Sequence, residues 1–183
     1  MYAIVDIETT GSPAKGNGIT DIAIVLHDGE QIEGKYETLV NPNVPIPQFV
    51  AQLTGITDKM VAAAPQFEQV APHIVEHLEG RIFVAHNAGF DFPYLHYFLK
   101  RAGFELNPKV LCTLNLSRLA FPNLAKHGLE TLCQELNISN PSRHRAAGDA
   151  LATTHLLDMI LKNGGTRLIE SMVYSPELLP STR

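Results

Sequence analysis

Three runs with strand character follow one another at the start of this chain, before any stretch of helical periodicity appears. Tyr2 to Ile7 is short, apolar and partly β-branched, and reads as a buried strand. Residues Gly11 to Gly18 are rich in Gly, Ser and Pro and read as a loop. Ile19 to His27 alternates loosely, Asp28-Gly29 is a hairpin signal, and Gln31 to Val40 alternates polar and apolar residues. Three successive strands predict an antiparallel meander. Whatever follows must then bury its apolar faces against a sheet.

Beyond the meander, helices and strands alternate. Pro42, Pro45 and Pro47 make Asn41 to Pro47 an extended connector. Phe49 to Leu53 reads as a short helical turn, with Thr57 or Asp58 as the cap of the next helix. Phe67, Val70, Ala71, Ile74, Val75 and Leu78 recur at helical spacing up to Gly80. Arg81 to Ala85 reads as a buried strand. Asp91 to Ala102 reads as a helix with Pro93 in its first turn. Val110 to Phe121 mixes strand and helix signals, and Leu129, Leu132, Cys133 and Leu136 mark another helix. Ala146 to Lys162 is a long apolar-faced helix ended by Asn163-Gly164-Gly165. After Gly165 the chain reads as a Pro-interrupted tail with no clear element. The fold class is α/β, a mixed sheet flanked by helices. A length of 183 residues suits one domain, and 45% hydrophobic with 18% charged residues excludes disorder, collagen and coiled coil.

The first apolar run contains Asp6 and has neither a basic start nor a cleavage site, so it does not read as a signal peptide. No apolar run approaches the about 20 residues that span a bilayer. Cys112 and Cys133 lie in segments that read as helical, form no CxxC pair, and read as buried thiols of a reducing compartment. The expectation is a soluble, cytoplasmic protein. Its net charge of -5 argues against a protein that coats nucleic acid by neutralising phosphates.

The chemistry concentrates in carboxylates. Asp6 and Glu8 are two apart, so a strand points both to one face. Close carboxylates repel unless a cation lies between them, and hard oxygen donors suit Mg²⁺ or Mn²⁺. Asp91 follows a strand and the turn His86-Asn87-Ala88-Gly89-Phe90, at the kind of strand end where open α/β sheets place ligands. In His144-Arg145-Ala146-Ala147-Gly148-Asp149 an imidazole precedes an acid by five residues at a helix start. Taken singly, these acids also read as a solvated strand end, a helix N-cap and surface residues. Together, four acids and one His resemble a two-metal site with a general base.

Three blocks carry a family resemblance: Asp6-Ile7-Glu8-Thr9-Thr10-Gly11, His86-Asn87-Ala88-Gly89-Phe90-Asp91 and His144-Arg145-Ala146-Ala147-Gly148-Asp149. In this order they resemble the DEDDh 3′–5′ exonucleases, the family of the proofreading epsilon subunit of bacterial DNA polymerase III. The subclass that uses Tyr places it four residues before the last Asp. Arg145 stands there, so the resemblance is to the histidine subclass. It runs from about residue 2 to about residue 162. Leu53-Thr54-Gly55-Ile56-Thr57 also matches a family segment near the bound nucleotide, with Thr54 where the proofreading subunit often has His.

The resemblance implies a ribonuclease H-like, mixed five-stranded sheet. It implies hydrolysis of the terminal phosphodiester at a 3′ end of DNA, releasing 5′-mononucleotides, in proofreading or repair. Asp6, Glu8, Asp91 and Asp149 would bind two Mg²⁺ or Mn²⁺ ions, and His144 would take the proton of the attacking water. Thr9, Thr10 and Gly11 would lie against the terminal nucleotide. Leu53, Thr54 and Phe90 would wall the base pocket, and Asn87 would contact sugar or phosphate. His86 would orient neighbours. The implied partners are single-stranded or frayed 3′ ends of DNA, with RNA as the alternative, and a polymerase or other replication or repair protein. No membrane is implied.

Residues 1–165 are expected to form the exonuclease domain, and 166–183 a C-terminal tail that docks, binds a partner or links to a further region. Asp21 and Asp158 lack motif support and read as solvated or helix-face charges. His73, His77, His96 and His155 read as surface or packing residues. His127 reads as a solvated loop residue, with substrate contact as the other reading. Arg143 and Arg145 divide between exposure and phosphate contact. A non-catalytic polymerase-associated binding module is the reading from another class, and the intact acids weigh against it.

Overall fold

The central strand is β1 (Tyr2–Thr9), which pairs antiparallel with β2 (Ile19–His27) on one side. Its other side pairs in parallel with β4 (Ile82–Ala85). β3 (Ile32–Leu39) extends the meander beyond β2, and β5 (Val110–Cys112) lies parallel to β4. The order β3-β2-β1-β4-β5 is the mixed five-stranded sheet expected. The computed structural model describes residues 1–12 and 16–176.

β4 and β5 are short apolar runs because both their faces are covered. β3 alternates, with Glu33, Lys35 and Glu37 exposed along one edge of the sheet. Residues of one parity, Ala3, Val5 and Ile7 of β1 among them, pack with α3 (Phe67–Leu78) and α4 (Ala88–Arg101). The other parity, Ile4 with Ala23, Val25, Val84 and Leu111, packs with Leu116 of α5 (Thr113–Ala120), α6 (Leu129–Glu135) and α7 (Ala146–Lys162). Asp6 and Glu8 share the parity of Ile4 and so point towards the α7 side. A smaller cluster of Ile46, Val50, Ile56 and Val61 holds α1 (Gln48–Thr54) and α2 (Asp58–Val61).

Several expectations change. α4 starts at Ala88, because Asn87 takes the left-handed conformation (φ 79°) and turns the chain directly out of β4. Asp91 is therefore a first-turn residue rather than an N-cap, and Pro93 falls in the second turn. Thr57 caps α2 only by position; its hydroxyl makes no cap bond, and the Asp58 carboxylate instead accepts the Ile46 N–H at 2.9 Å. Cys112 ends β5 instead of lying in a helix, whereas Cys133 is in α6; both are buried free thiols.

The largest change is after Gly165, where a helix α8 (Thr166–Met172) replaces the expected featureless tail. Gly164 at φ 80° breaks α7 and turns the chain, so the glycine pair that reads as a stop also starts the next helix. Ile169 is buried against the α7 side, and Tyr174 exchanges backbone hydrogen bonds with Val110 along the edge of β5. Leu178 and Leu179, expected to dock or bind, lie outside the described residues.

If α8 is part of the core, Ile169→Ala lowers unfolding stability by about 2–5 kcal/mol. Urea melts measure this, and an unchanged midpoint would refute the packing described.

Candidate functional site

β1 delivers Asp6 and Glu8 to one face near its end, and α7, lying across β1 and β2, delivers Asp149 from its first turn. One carboxylate oxygen from each of these three residues lies within 4.8 Å of the others. Asp91, from the first turn of α4, is 5% exposed and stands outside this trio, yet close enough for its charge to act on Asp6. The four expected acids thus meet at one end of the sheet.

Such a group is electrostatically costly. Burial, then the charges of Asp91, Asp149, Glu8 and Asp21, push Asp6 well above the usual carboxylate range. Burial raises Glu8 to about 7, with Asp149 and Asp21 adding to it and Arg145 opposing. Burial likewise raises Asp91 to about 8, against the pull of the backbone N–H groups of Asp91 and Ile7. The donors are all hard oxygens, and the repulsion among them is what a divalent cation relieves, so the residues fit Mg²⁺ or Mn²⁺.

Asp149 is held by the turn that precedes α7. Asn140 Nδ2 donates to its Oδ1 at 2.6 Å and the His144 N–H to its Oδ2 at 3.1 Å. Asn140 belongs to none of the three motif blocks. Gly148 makes this possible, because a Cβ there would run into the Ser142 carbonyl. His144 has φ 58°, an uncommon conformation for a non-glycine residue. Its backbone meets Asp149, while its ring Nε2 lies 3.5 Å from the Arg143 guanidinium. Arg143 also pairs with Glu130 at the surface at 2.7 Å.

Two acids dismissed in the sequence are built into the structure. Asp21 is 4% exposed and accepts Arg145 Nε at 2.9 Å, so neither is a free surface charge. Asp158 pairs with the fully buried His27 at 3.0 Å and with Lys162 at 3.4 Å. Arg145 and His27 lie far away in sequence from the acids they meet, where no local pattern reveals them, whereas Lys162 is the i+4 neighbour of Asp158 on α7.

The residues expected to meet the nucleotide divide in two. Leu53 is 56% and Phe90 44% exposed, which leaves their apolar surface available. Asn87 is exposed and its side chain makes no cap bond. Thr54, however, is buried; its hydroxyl donates to the Val50 carbonyl at 2.9 Å and accepts the Ile56 N–H at 3.1 Å. These bonds shape the end of α1. Thr10 is also buried, donating to Asn17 Oδ1 at 3.2 Å and accepting the Gly18 N–H at 3.0 Å. It closes the loop instead of facing outward. Thr9 ends β1 half-buried, and the Gly11 carbonyl accepts the Tyr94 hydroxyl at 2.7 Å, which ties this loop to α4.

His86 orients neighbours, as expected. Its Nε2 lies 2.9 Å from the His127 carbonyl and its Nδ1 3.0 Å from Thr113 Oγ1. Burial lowers its pKa to about 4, so it is neutral at pH 7. The carbonyl can only accept, which puts the ring proton on Nε2. Nδ1 then accepts the Thr113 hydroxyl. His127 is half-buried rather than a solvated loop residue: its ring nitrogens lie 3.1 Å from Ser117 Oγ and 3.2 Å from the Leu124 carbonyl. The two histidines pin the 121–128 segment to the start of α4 and α5. His96 stacks on Phe92, and His73 and His77 lie against Tyr36, in packing roles as expected.

A protein-family model described as Exonuclease (RNase_T) matches residues 3–157. The chain is 42% identical over 154 residues to the 3′-5′ exonuclease DinG of Bacillus subtilis (strain 168), a match covering 83% of this chain and 16% of that protein. It is 37% identical over 163 residues to a PolC-type DNA polymerase III of Bacillus cereus, covering 88% of this chain and 11% of that one. The chain therefore spans less than a fifth of the length of these curated relatives. Among solved structures it is similar to Exonuclease X in complex with 5′ overhanging duplex DNA. That likeness has 30% identity and a TM-score of 0.73, covering 94% of this chain and 97% of that chain.

Two stability measurements check this geometry. Asp6→Asn removes a carboxyl whose ionisation the fold opposes, so in EDTA at pH 7.5 its melting temperature exceeds that of the wild type, by roughly 2–4 °C for each kcal/mol gained. A lower value would mean that the carboxylates do not repel. His86 binds its proton less tightly folded than unfolded, so its contribution is complete above the unfolded pKa and is lost as pH falls from about 6.5 towards about 4. Urea titrations at several pH values read this as a difference in slope of up to about 1.4 kcal/mol per unit between the wild type and His86→Gln, since the acids contribute equally to both. Equal slopes in the two proteins would contradict the buried neutral ring.

Proposed function

The chain belongs to the exonuclease family whose model covers residues 3–157, and from that membership we propose that it hydrolyses the terminal phosphodiester of a DNA 3′ end. One observation carries the reading: Asp6, Glu8 and Asp149 converge within 4.8 Å with buried Asp91 beside them. Asp6, Glu8, Asp91 and Asp149 would hold the cofactor, which we take to be two Mg²⁺ or Mn²⁺ ions. When bound, these cations supply the positive charge that favours a water nucleophile and the departing 3′ oxygen.

The chain's own residues do the rest. His144, whose backbone N–H meets Asp149, takes the proton of the attacking water, the general-base role that the histidine subclass of the family implies. An oxygen–phosphorus bond forms, the bond from phosphorus to the 3′ oxygen breaks, and a 5′-mononucleotide leaves. Asn140 and the His144 N–H keep Asp149 aimed while this happens. Leu53 and Phe90 offer exposed apolar surface to the terminal base, and Thr9 and Asn87 polar groups to its sugar and phosphate. Thr10, Gly11 and Thr54 shape the loops that carry these groups. Frayed or single-stranded ends fit best, because a paired end must first unstack.

DNA is favoured because the similar Exonuclease X structure contains DNA and the curated relatives are named as an exonuclease and a DNA polymerase. The same relatives support a replication or repair context, with a polymerase or repair protein as partner, and so a cytoplasmic site of action. No helix among the described residues is long and apolar enough to cross a membrane. We take residues 1–165 as the exonuclease domain and 166–183 as its tail, of which 166–176 lies back on the fold.

The test uses 5′-labelled single-stranded DNA and RNA of equal sequence, with Mg²⁺, Mn²⁺ or EDTA. Metal-dependent laddering of DNA from the 3′ end is expected, reduced about 10²–10⁴-fold by His144→Ala and abolished by Asp6→Asn. Preferential loss of RNA would make this an RNA exonuclease. No degradation with any metal would leave a binding module.

A further inference from the structure

Asp21 is a fifth carboxylate on the face that carries Asp6 and Glu8. In the β1–β2 ladder it stands directly opposite Glu8, and it is buried. Like charges facing each other across an antiparallel pair repel. The cation beside them is Arg145, immediately before α7. Its Nε lies 2.9 Å from Asp21 Oδ2, and the Ala146 N–H approaches the same oxygen at 3.4 Å. Burial raises the Asp21 carboxyl, while Arg145 and the Ala146 N–H draw it back down. Arg145 is also near enough to Glu8 for its charge to act there.

One guanidinium therefore lies within reach of two carboxylates of different use. Glu8 shares a point in space with Asp6 and Asp149, where a cation fits. An arginine drawn onto Glu8 would neutralise that carboxylate and fill one of its oxygen positions. Asp21 offers the guanidinium a buried carboxylate as an alternative, and a partly buried pair is screened by salt less than an exposed one. The Arg145 side chain is 39% exposed, and among the described residues its one side-chain hydrogen bond is the bond to Asp21.

We infer that Asp21 is a positioning residue that holds Arg145 away from Glu8 and thereby reserves Glu8 for the divalent cation. This rests on the metal-binding reading above, and acts through Arg145 rather than by touching substrate or metal.

The test is direct Mn²⁺ binding, read from the electron paramagnetic resonance of free Mn²⁺ and from the Mn²⁺-induced rise in melting temperature. Asp21→Asn releases Arg145, and the dissociation constant is expected to rise about 10–100-fold, the range seen when groups behind a metal ligand are changed. Removing the competitor as well, in Asp21→Asn/Arg145→Gln, restores binding to within about threefold of the wild type by the same reasoning. Arg145→Gln alone binds Mn²⁺ at least as tightly as the wild type, and serves if Asp21→Asn fails to fold. Equal weakness of the single Asp21 variant and the double variant would overturn the inference, because Asp21 would then merely anchor α7. Wild-type affinity in Asp21→Asn, or weak binding in Arg145→Gln, would overturn it too. A wild-type protein that takes up no Mn²⁺ would instead overturn the metal reading on which this rests.

Discussion

Mutual repulsion among buried carboxylates is the constraint to which the rest of this structure answers. Asp6, Glu8, Asp91 and Asp149 would separate if their backbones allowed it. They sit on elements that do not yield. β1 is paired with β2 along its whole length and with β4 over Tyr2–Ile4, and α7 is packed through Ala150, Thr153, Leu156, Leu157 and Ile160 on its buried side. The energy for holding like charges together comes from the apolar contacts beneath them, not from the site itself. Local instability of this kind is typical where binding is the purpose.

Polar side chains of the motifs mostly serve backbone. Thr10 closes the loop after β1, Tyr94 ties that loop to α4, Thr54 finishes α1, and His86 joins three segments through one neutral ring. A motif at such a site is thus two things at once. A few members present charge or apolar surface to the outside, and more of them fix the loops that aim those few. Asn140 belongs with the second kind, although no motif contains it.

Local pattern revealed the elements whose signals are local. The limits of β2 and of α7 fall where alternation, periodicity and punctuation place them. The acids were legible because strand parity and helix starts are short-range facts. Asp21 was not, since the cation that explains it is 124 residues away. Asp158 escaped notice for a similar reason, its partner His27 lying on a strand near the other end of the chain. α8 was missed because Gly164-Gly165 carries the same signal for ending one helix as for beginning another. The early start of α4 depended on Asn87 accepting a left-handed backbone, which its residue type permits but does not announce.

The sheet has two outer strands, and each is closed in a different way. β5 is three residues long, and Tyr174 already occupies backbone groups of Val110. β3 is longer and lies open, but Glu33, Lys35 and Glu37 alternate along it. A foreign strand arriving at β3 would have to bring opposite charges into register; one arriving at β5 finds Val110 already paired. The sheet therefore resists growth by strand addition at both sides, and concentrated protein is protected against β-type aggregation without any change at the acidic end.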